Sequence, residues 1–341
     1  MTLGDCISVH LWIGSQNLDK RGAASNQQDS DSSTEEVEKF SYDSLYEKHG
    51  NDGIKDITGF THSEFTTLYE TISPLILPRG RGRKDMPIRD GLALFLAWAT
   101  SGMTYNEISI HFGVSRSTLF RTVESVIRRT KNALVQTYIP STIDDATADG
   151  AFVNFPDAFG AVDATVIEIS RPYDSENQKK YYCGKHKFHC VKFQCLINPD
   201  GQAVHISQVV EGKQHDKKLF DQSGLTKFLT TTKLIAGHLV SERKIILCDS
   251  GYTGINLTHP EAIITRKRRA GEDLSAEDEE FNRILSSDRI IVENYFGRMK
   301  IVFGVMHYKF RCTITMLSDL IPMIVALTNY HIQNHPLRRR D

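Results

Sequence analysis

Long apolar runs are missing from this 341-residue sequence: none approaches the ~18 residues that a membrane-spanning helix needs. Cysteine is scarce, with Cys6, Cys183, Cys190, Cys195, Cys248 and Cys312 scattered over a chain long enough for two domains. That excludes a disulfide-stapled miniprotein and fits reduced thiols in a cytosolic or nuclear protein. The short apolar stretch at residues 7–13 has no basic region before it and is interrupted by His10, so no secretory signal is expected. No repeat of solenoid length occurs. Net charge is also nearly absent. With 41 Lys+Arg against 42 Asp+Glu the sum is -1, which by itself argues for neither a nucleic-acid nor an acidic partner.

What is present is charge in blocks. Residues 26–56 are rich in Ser, Asp, Glu, Gln and Asn and poor in large apolar side chains, so 1–57 reads as an acidic, disordered tail. Residues 79–131 are the opposite, with basic side chains that include Arg79, Arg81, Arg83, Lys84, Arg116 and Arg121 against only Asp85, Asp90, Glu107 and Glu124. The near-zero sum is a cancellation between segments. Residues 140–149 read as the connection between a helical domain over 58–140 and a second domain over 150–335, which carries a charged insertion at about 255–289.

From Asp90, the residues Leu92, Phe95, Leu96 and Ala99 recur at helical spacing as far as Ser101-Gly102. A second helix opens at Thr104, which can cap with Glu107 three residues on, and Tyr105, Ile108 and Phe112 make its apolar face. Gly113 suits a sharp turn, Val114 anchors it, and Ser115 caps a third helix. That helix turns Leu119, Val123, Val126 and Ile127 inward and Arg116, Ser117, Thr118, Arg121 and Thr122 outward. A glycine turn before a basic helix is the layout of a helix-turn-helix whose last helix enters a DNA major groove. The competing reading is an ordinary three-helix bundle with a basic face. The arm of Arg79, Arg81, Arg83 and Lys84, interleaved with glycine, favours DNA because it can reach phosphates or a narrow minor groove; otherwise it is a solvated linker.

In the second half, residues 161–170 form a β-rich run with Asp163 near its start, and residues 181–197 form another. Asn198-Pro199-Asp200-Gly201 is a hairpin turn, and residues 203–210 return from it. Asp216 then stands near the N-cap of a helix. Residues 244–248 make a short buried strand that ends at Asp249, and residues 290–303 read as a helix carrying Glu293, with a separate helix around 276–285. This order suits an α/β fold, a mixed sheet flanked by helices, with Asp163, Asp249 and Glu293 converging near strand ends. Such carboxylates can hold two divalent ions ~3.5 to 4 Å apart, which activate a water or a 3′-hydroxyl and stabilise the leaving oxygen in phosphodiester cleavage. Each acid alone has a plainer reading as a turn, cap or solvated helix residue.

Lys179, Lys180, Lys185, Lys187 and Lys192, read along the second strand, either contact phosphates or make an exposed face soluble. The basic run at 266–269 fits a DNA contact, a nuclear-import patch or a charged surface insertion. Cys183, His186, His189 and Cys190 are not expected to bind zinc, because adjacent strand residues His189 and Cys190 point to opposite faces.

Four blocks occur in order: Gly160-Ala161-Val162-Asp163-Ala164-Thr165; Gly212 with His215-Asp216; Cys248-Asp249-Ser250-Gly251-Tyr252; and Val292-Glu293-Asn294-Tyr295-Phe296-Gly297-Arg298-Met299-Lys300. Together they resemble the PIF/Harbinger group of DDE transposases and the nucleases derived from them. Residues 98–126 are similar to that family's helix-turn-helix, and the likeness runs from about Arg83 to Asn334. The resemblance implies an RNase H-like fold behind an all-α helix-turn-helix domain. It further implies cleavage and strand transfer of double-stranded DNA at terminal inverted repeats, dependent on Mg²⁺ or Mn²⁺, with two ions. The catalytic, metal-holding triad maps onto Asp163, Asp249 and Glu293, with Asp216 a contested fourth acid. A Myb-like DNA-binding accessory protein, a homo-oligomer and action in the nucleus are expected alongside. Ala164, Val166, Lys213, Asn294 and Val302 depart from residues common in the family, but none is a proposed metal ligand. Two other readings stand beside this one: a domesticated, catalytically idle sequence-specific DNA-binding protein, and an unrelated α/β enzyme with an accessory bundle.

Overall fold

The computed structural model describes residues 40–76, 86–235, 238–268 and 273–338. Two units divide the chain, one ending at Thr130 and taking in Ile301–His307, the other made of Lys131–Lys300 and the residues from Tyr308 onward. The division falls inside a helix and not at 140–149, the polar stretch that reads as a linker.

The first unit is helical: α1 (Tyr42–Thr58), α2 (His62–Ile72), α3 (Ile88–Ser101), α4 (Tyr105–His111) and the start of α5 (Arg116–Tyr138). The acidic tail therefore does not extend to residue 57. Helix α1, kinked at Gly50, buries Tyr42, Leu45, Ile54 and Ile57. Tertiary contacts hold it despite its polar composition: the Tyr42 ring stacks on Phe65 at 4.2 Å, the Tyr42 N–H donates to Asp90 Oδ1 at 2.9 Å, and Arg89 pairs with Asp43 at 2.9 Å. Helix α3 is buried on every side from Leu92 to Ala99, the pattern of a central helix. At the start of α4 the Thr104 and Glu107 capping box forms reciprocally. Gly113 has φ 63, and Ser115 Oγ accepts from the Thr118 N–H at 3.1 Å. Arg116, Ser117 and Arg121 are exposed, whereas Thr122, read as outward-facing, is buried. The arm residues Arg79, Arg81, Arg83 and Lys84 lie outside the described residues.

In the second unit a mixed sheet is covered on both faces. Its strands are β1 (Ala158–Glu168), β2 (Tyr182–Cys183), β3 (Phe188–Ile197), β4 (Ala203–Ile206), β5 (Val210–Glu211), β8 (Ile245–Cys248) and β9 (Ala262–Ile264). The order is β2-β3-β1-β8-β9, with β4 and β5 also pairing with β3. Strand β1 is antiparallel to β3 and parallel to β8. Strands β6 (Thr230–Ile235) and β7 (His238–Arg243) form a separate two-stranded ribbon. The helices are α6 (Ser175–Tyr181), α7 (Asp216–Gln222), α8 (Leu225–Phe228), α9 (Ala276–Val302, its last two residues in the first unit), α10 (Gly304–His307, in the first unit) and α11 (Ile314–Asn334).

One face of the sheet packs Val162, Leu196, Ile246 and Cys248 against Phe220, Leu225 and Tyr252. Strand alternation turns Asp163 and Phe193 to the opposite face, where Phe193 meets Phe296 of α9 at 6.1 Å.

Three expectations change. The strand over 181–197 is broken: α6 runs to Tyr181, and a turn at 184–187 separates β2 from β3, so Lys179 and Lys180 are helical while Lys185 and Lys187 are turn residues. The supposed insertion at 255–289 is part of the fold, since β9 extends the sheet beside β8 and the helix around 276–285 continues unbroken into the Glu293 helix. Asp216 stands beside the N-cap of α7, where the sequence puts it, but does not cap the helix. His215 holds the N-cap position, and no side chain there accepts a capping hydrogen bond.

Candidate active site

Parallel pairing sets Val162 of β1 opposite Cys248 of β8, so the next residue on each strand, Asp163 and Asp249, leaves the sheet at the same level. Arg289 of α9 joins them. Its Nη2 is 3.7 Å from Asp163 Oδ2 and its Nη1 is 3.7 Å from Asp249 Oδ1, and its side chain is only 7% exposed. The Arg289 Nε–H has no partner among the described residues. Asp163 Oδ1 accepts from the Ala164 N–H at 2.7 Å. Burial pushes the Asp163 carboxyl up to about 6; the Ala164 N–H and Arg289 act against that rise, while Asp249 and Asp216 add to it.

Asp249 is held from behind. A single helical turn follows it, with the Tyr252 N–H donating to Asp249 O at 3.0 Å. The buried Tyr252 ring meets Phe220 edge-on at 6.3 Å, and its hydroxyl donates to Gln194 Oε1 at 3.3 Å. Burying a side chain of this size contributes roughly 1.5–3 kcal/mol, enough to fix the turn that carries the acid.

Glu293 lies four residues after Arg289 on α9, hence on the same helical face, and is exposed. Its carboxylate makes no hydrogen bond or ion pair among the described residues, and no three His, Cys, Asp or Glu side chains among them gather as a ready metal cage. Asp163 and Asp249 are therefore brought together, and Glu293 stands one turn from the arginine that joins them.

Asp216, the first residue of α7, is held by Lys192 of β3, whose Nζ donates to Asp216 Oδ1 at 2.9 Å and to Gln214 O at 2.7 Å, and its charge acts on Asp163. Lys192 is thus a structural partner of an acid rather than an open phosphate contact. Arg289 escaped the sequence reading. The available signal was its spacing, an arginine one helical turn before a candidate acid.

Basic side chains predicted to contact DNA lie away from the acids. Lys185 and Lys187 are exposed in the β2–β3 turn, which Lys187 closes at φ 61 by donating its N–H to Cys183 O at 2.8 Å. Between them His186 is held below the ordinary histidine range by burial and by the charges of Lys185, Lys192 and Lys300, which brings the turn into the electrostatic neighbourhood of α9. In the first unit, the Thr118 hydroxyl is within 2.8 Å of Ser115 Oγ, and Arg121 Nε donates to Ser117 O at 3.1 Å. Arg116 and Arg121 remain on the surface of α5.

The Asp163 and Asp249 pair suits a hard divalent cation. Both donors are carboxylate oxygens, the side chains keep 27% and 45% of their exposure, and their mutual repulsion already requires a neighbouring cation, Arg289.

Residues 162–329 match the family model described as DDE superfamily endonuclease. The chain is also 27% identical over 252 residues to the "Probable transposase for insertion sequence element IS702" of Microchaete diplosiphon, a match covering 73% of this chain and 83% of the relative. No solved structure matches. Matched span and site coincide, since Asp163, Asp216, Asp249, Arg289 and Glu293 all fall within residues 162–329, the part of the chain that is similar to DDE superfamily endonucleases.

Proposed function

We propose that this chain is a divalent-metal-dependent DNA endonuclease of the transposase type. The observation that carries the reading is the placement of Asp163 and Asp249 side by side, across a buried arginine on the helix that bears Glu293. In this reading Asp163, Asp249 and Glu293 hold Mg²⁺ or Mn²⁺, and Asp216 tunes the site through its charge and through Lys192. A bound ion would activate a water or a 3′-hydroxyl of the DNA and stabilise charge at the leaving oxygen. Arg289 balances the acids before DNA arrives, and Lys185 and Lys187 contact phosphates farther along the same DNA. Helix α5 reads duplex DNA with Arg116, Ser117, Thr118 and Arg121, with the arm of Arg79, Arg81, Arg83 and Lys84 alongside.

The finer reading is a PIF/Harbinger-type enzyme on an RNase H-like fold. It cuts terminal inverted repeats, transfers strands and works in the nucleus as a homo-oligomer with a Myb-like partner. Support comes from the four sequence blocks and from the order of a mixed sheet followed by a Glu-bearing helix. The test is cleavage of a cognate DNA end by Asp249→Asn. Loss of cleavage with retained DNA binding is expected, and unchanged cleavage would sink the triad.

One observation favours a second reading, a DNA-binding protein that no longer cleaves: Glu293 is exposed and has not joined the two aspartates. Metal-dependent nicking by the purified chain rules that reading out, and specific binding without nicking under any divalent ion supports it.

A further inference from the structure

Beyond Asp163, β1 continues to Glu168, and the connection to α6 then carries an aromatic ring into solvent. Tyr173 is 103% exposed. Isolated exposed tyrosines are ordinary, so the setting must carry any meaning. Here the backbone beneath the ring is clamped. Gln178 Nε2 donates to Pro172 O at 2.9 Å and to Tyr173 O at 3.2 Å, and Arg171 Nη2 donates to Gln178 Oε1 at 2.7 Å. The adjacent Asp174 is occupied as the N-cap of α6, accepting from Asn177 N and Asn177 Nδ2, each at 2.8 Å. The ring is therefore presented outward by a built loop.

Unpaired charge in the segments next to this loop is mostly positive. Arg171, Lys179, Lys185, Lys187 and Lys213 have no carboxylate partner among the described residues. The acids close by are largely taken, Glu176 by Lys180 at 2.6 Å and Glu168 by Lys309 at 2.8 Å, which leaves Glu211 unpaired. The Lys213 N–H donates to Lys180 O at 3.2 Å and so ties the end of β5 to α6. Unpaired cations around a free aromatic face are what single-stranded nucleic acid requires, since the cations hold phosphates while a base stacks on the ring. Duplex DNA offers phosphates but no free base face. The location fits as well: at ~3.3 Å per strand residue, the end of β1 is on the order of 17 Å from Asp163, a few nucleotides along a strand from the acids.

We propose that Tyr173 stacks on an unpaired base of a DNA strand end while Arg171, Lys179, Lys185 and Lys187 hold the phosphates beside it. This rests on the reading of the chain as a DNA-cleaving protein, but it concerns binding and not chemistry. The test therefore uses the full chain in EDTA, comparing a blunt duplex with the same duplex bearing a single-stranded 3′ overhang. The parent protein should prefer the overhang. Tyr173→Ala should lose roughly ten-fold of its affinity for the overhang duplex with blunt-duplex affinity and melting temperature unchanged, and Tyr173→Phe should behave as the parent. No overhang preference in the parent, no loss in Tyr173→Ala, or an equal loss on both duplexes would each overturn the proposal. A failure of the cleavage reading would appear in cleavage assays of Asp249→Asn, and a failure of this proposal in the overhang comparison.

Discussion

Asp216 occupies the space that a side chain on Gly251 would need: its Oδ2 lies 2.7 Å from where a Cβ on Gly251 would stand. Because Lys192 holds the carboxylate in place, Gly251→Ala must push Asp216 off its partner or shift the turn after Asp249. Overpacking of this kind costs about 1–3 kcal/mol. Gly251→Ala should lower the melting temperature and weaken cleavage, and the same substitution in an Asp216→Ala background should cost much less. Simple additivity in that double-mutant cycle would show that the contact does not matter.

Arg289→Ala removes the cation shared by Asp163 and Asp249. The loss should fall short of the ~3–5 kcal/mol of a fully buried pair, because Asp249 keeps 45% of its exposure. Divalent ions should then raise the melting temperature of the variant more than that of the parent, since the ion supplies the missing charge. Calorimetric melts with and without Mg²⁺ decide this, and an equal or smaller shift in the variant contradicts it.

For Asp163 the sign of the pH dependence is fixed by a folded-state value of about 6, above its unfolded value of ~3.9. The folded state binds the proton more tightly, so this contribution to stability is complete below pH ~4 and is lost as pH rises through about 6. Metal-free denaturation between those limits should show this decline, and Asp163→Asn should flatten it. A variant with the parent's slope would assign the titration elsewhere.

Arg116→Ala and Arg121→Ala should each weaken binding to duplex DNA nearly uniformly across sequences if they neutralise phosphates. Each should also make the slope of log affinity against log salt shallower by roughly 0.9, the share of one phosphate. Unchanged salt dependence in both would remove α5 from the DNA-binding surface.

Asn329 of α11 is buried with all of its polar atoms engaged. Its Oδ1 accepts from Ala203 N at 2.9 Å and from Tyr295 Oη at 3.1 Å, and its Nδ2 donates to Ala203 O and Tyr138 O, each at 2.8 Å. Asn329→Leu should cost on the order of 3 kcal/mol or more, because several buried groups lose partners at once. A urea midpoint near that of the parent would show that the network relaxes without loss.

Legibility in the sequence followed the range of the interaction responsible. The capping box at Thr104 and Glu107, the turn at Gly113 and the hairpin at Gly201 are local, and each forms where the residues indicate. Asp163 and Asp249 were visible as acids in strand-rich surroundings, and parallel register then sets them level. Arg289 was hidden because its partners lie 126 and 40 positions earlier in the chain, beyond the reach of local patterning. Asp216 invited a capping role from its position at the start of a helix, yet its carboxylate pairs with Lys192 instead. Helix α1 was lost among polar residues because its order depends on Phe65 and Asp90.

Ile301–His307 belongs to the helical first unit although about 170 residues of the other unit separate it from Thr130. Gly304 sits so near the end of α3 that a Cβ there would fall 2.6 Å from Thr100 O, and Phe303 meets Phe60 at 6.4 Å. During synthesis this unit cannot close until the ribosome has passed residue 307. A fragment cut after α5 would be born with one wall missing, and only a later-arriving peptide in trans, or the whole chain, would seal it.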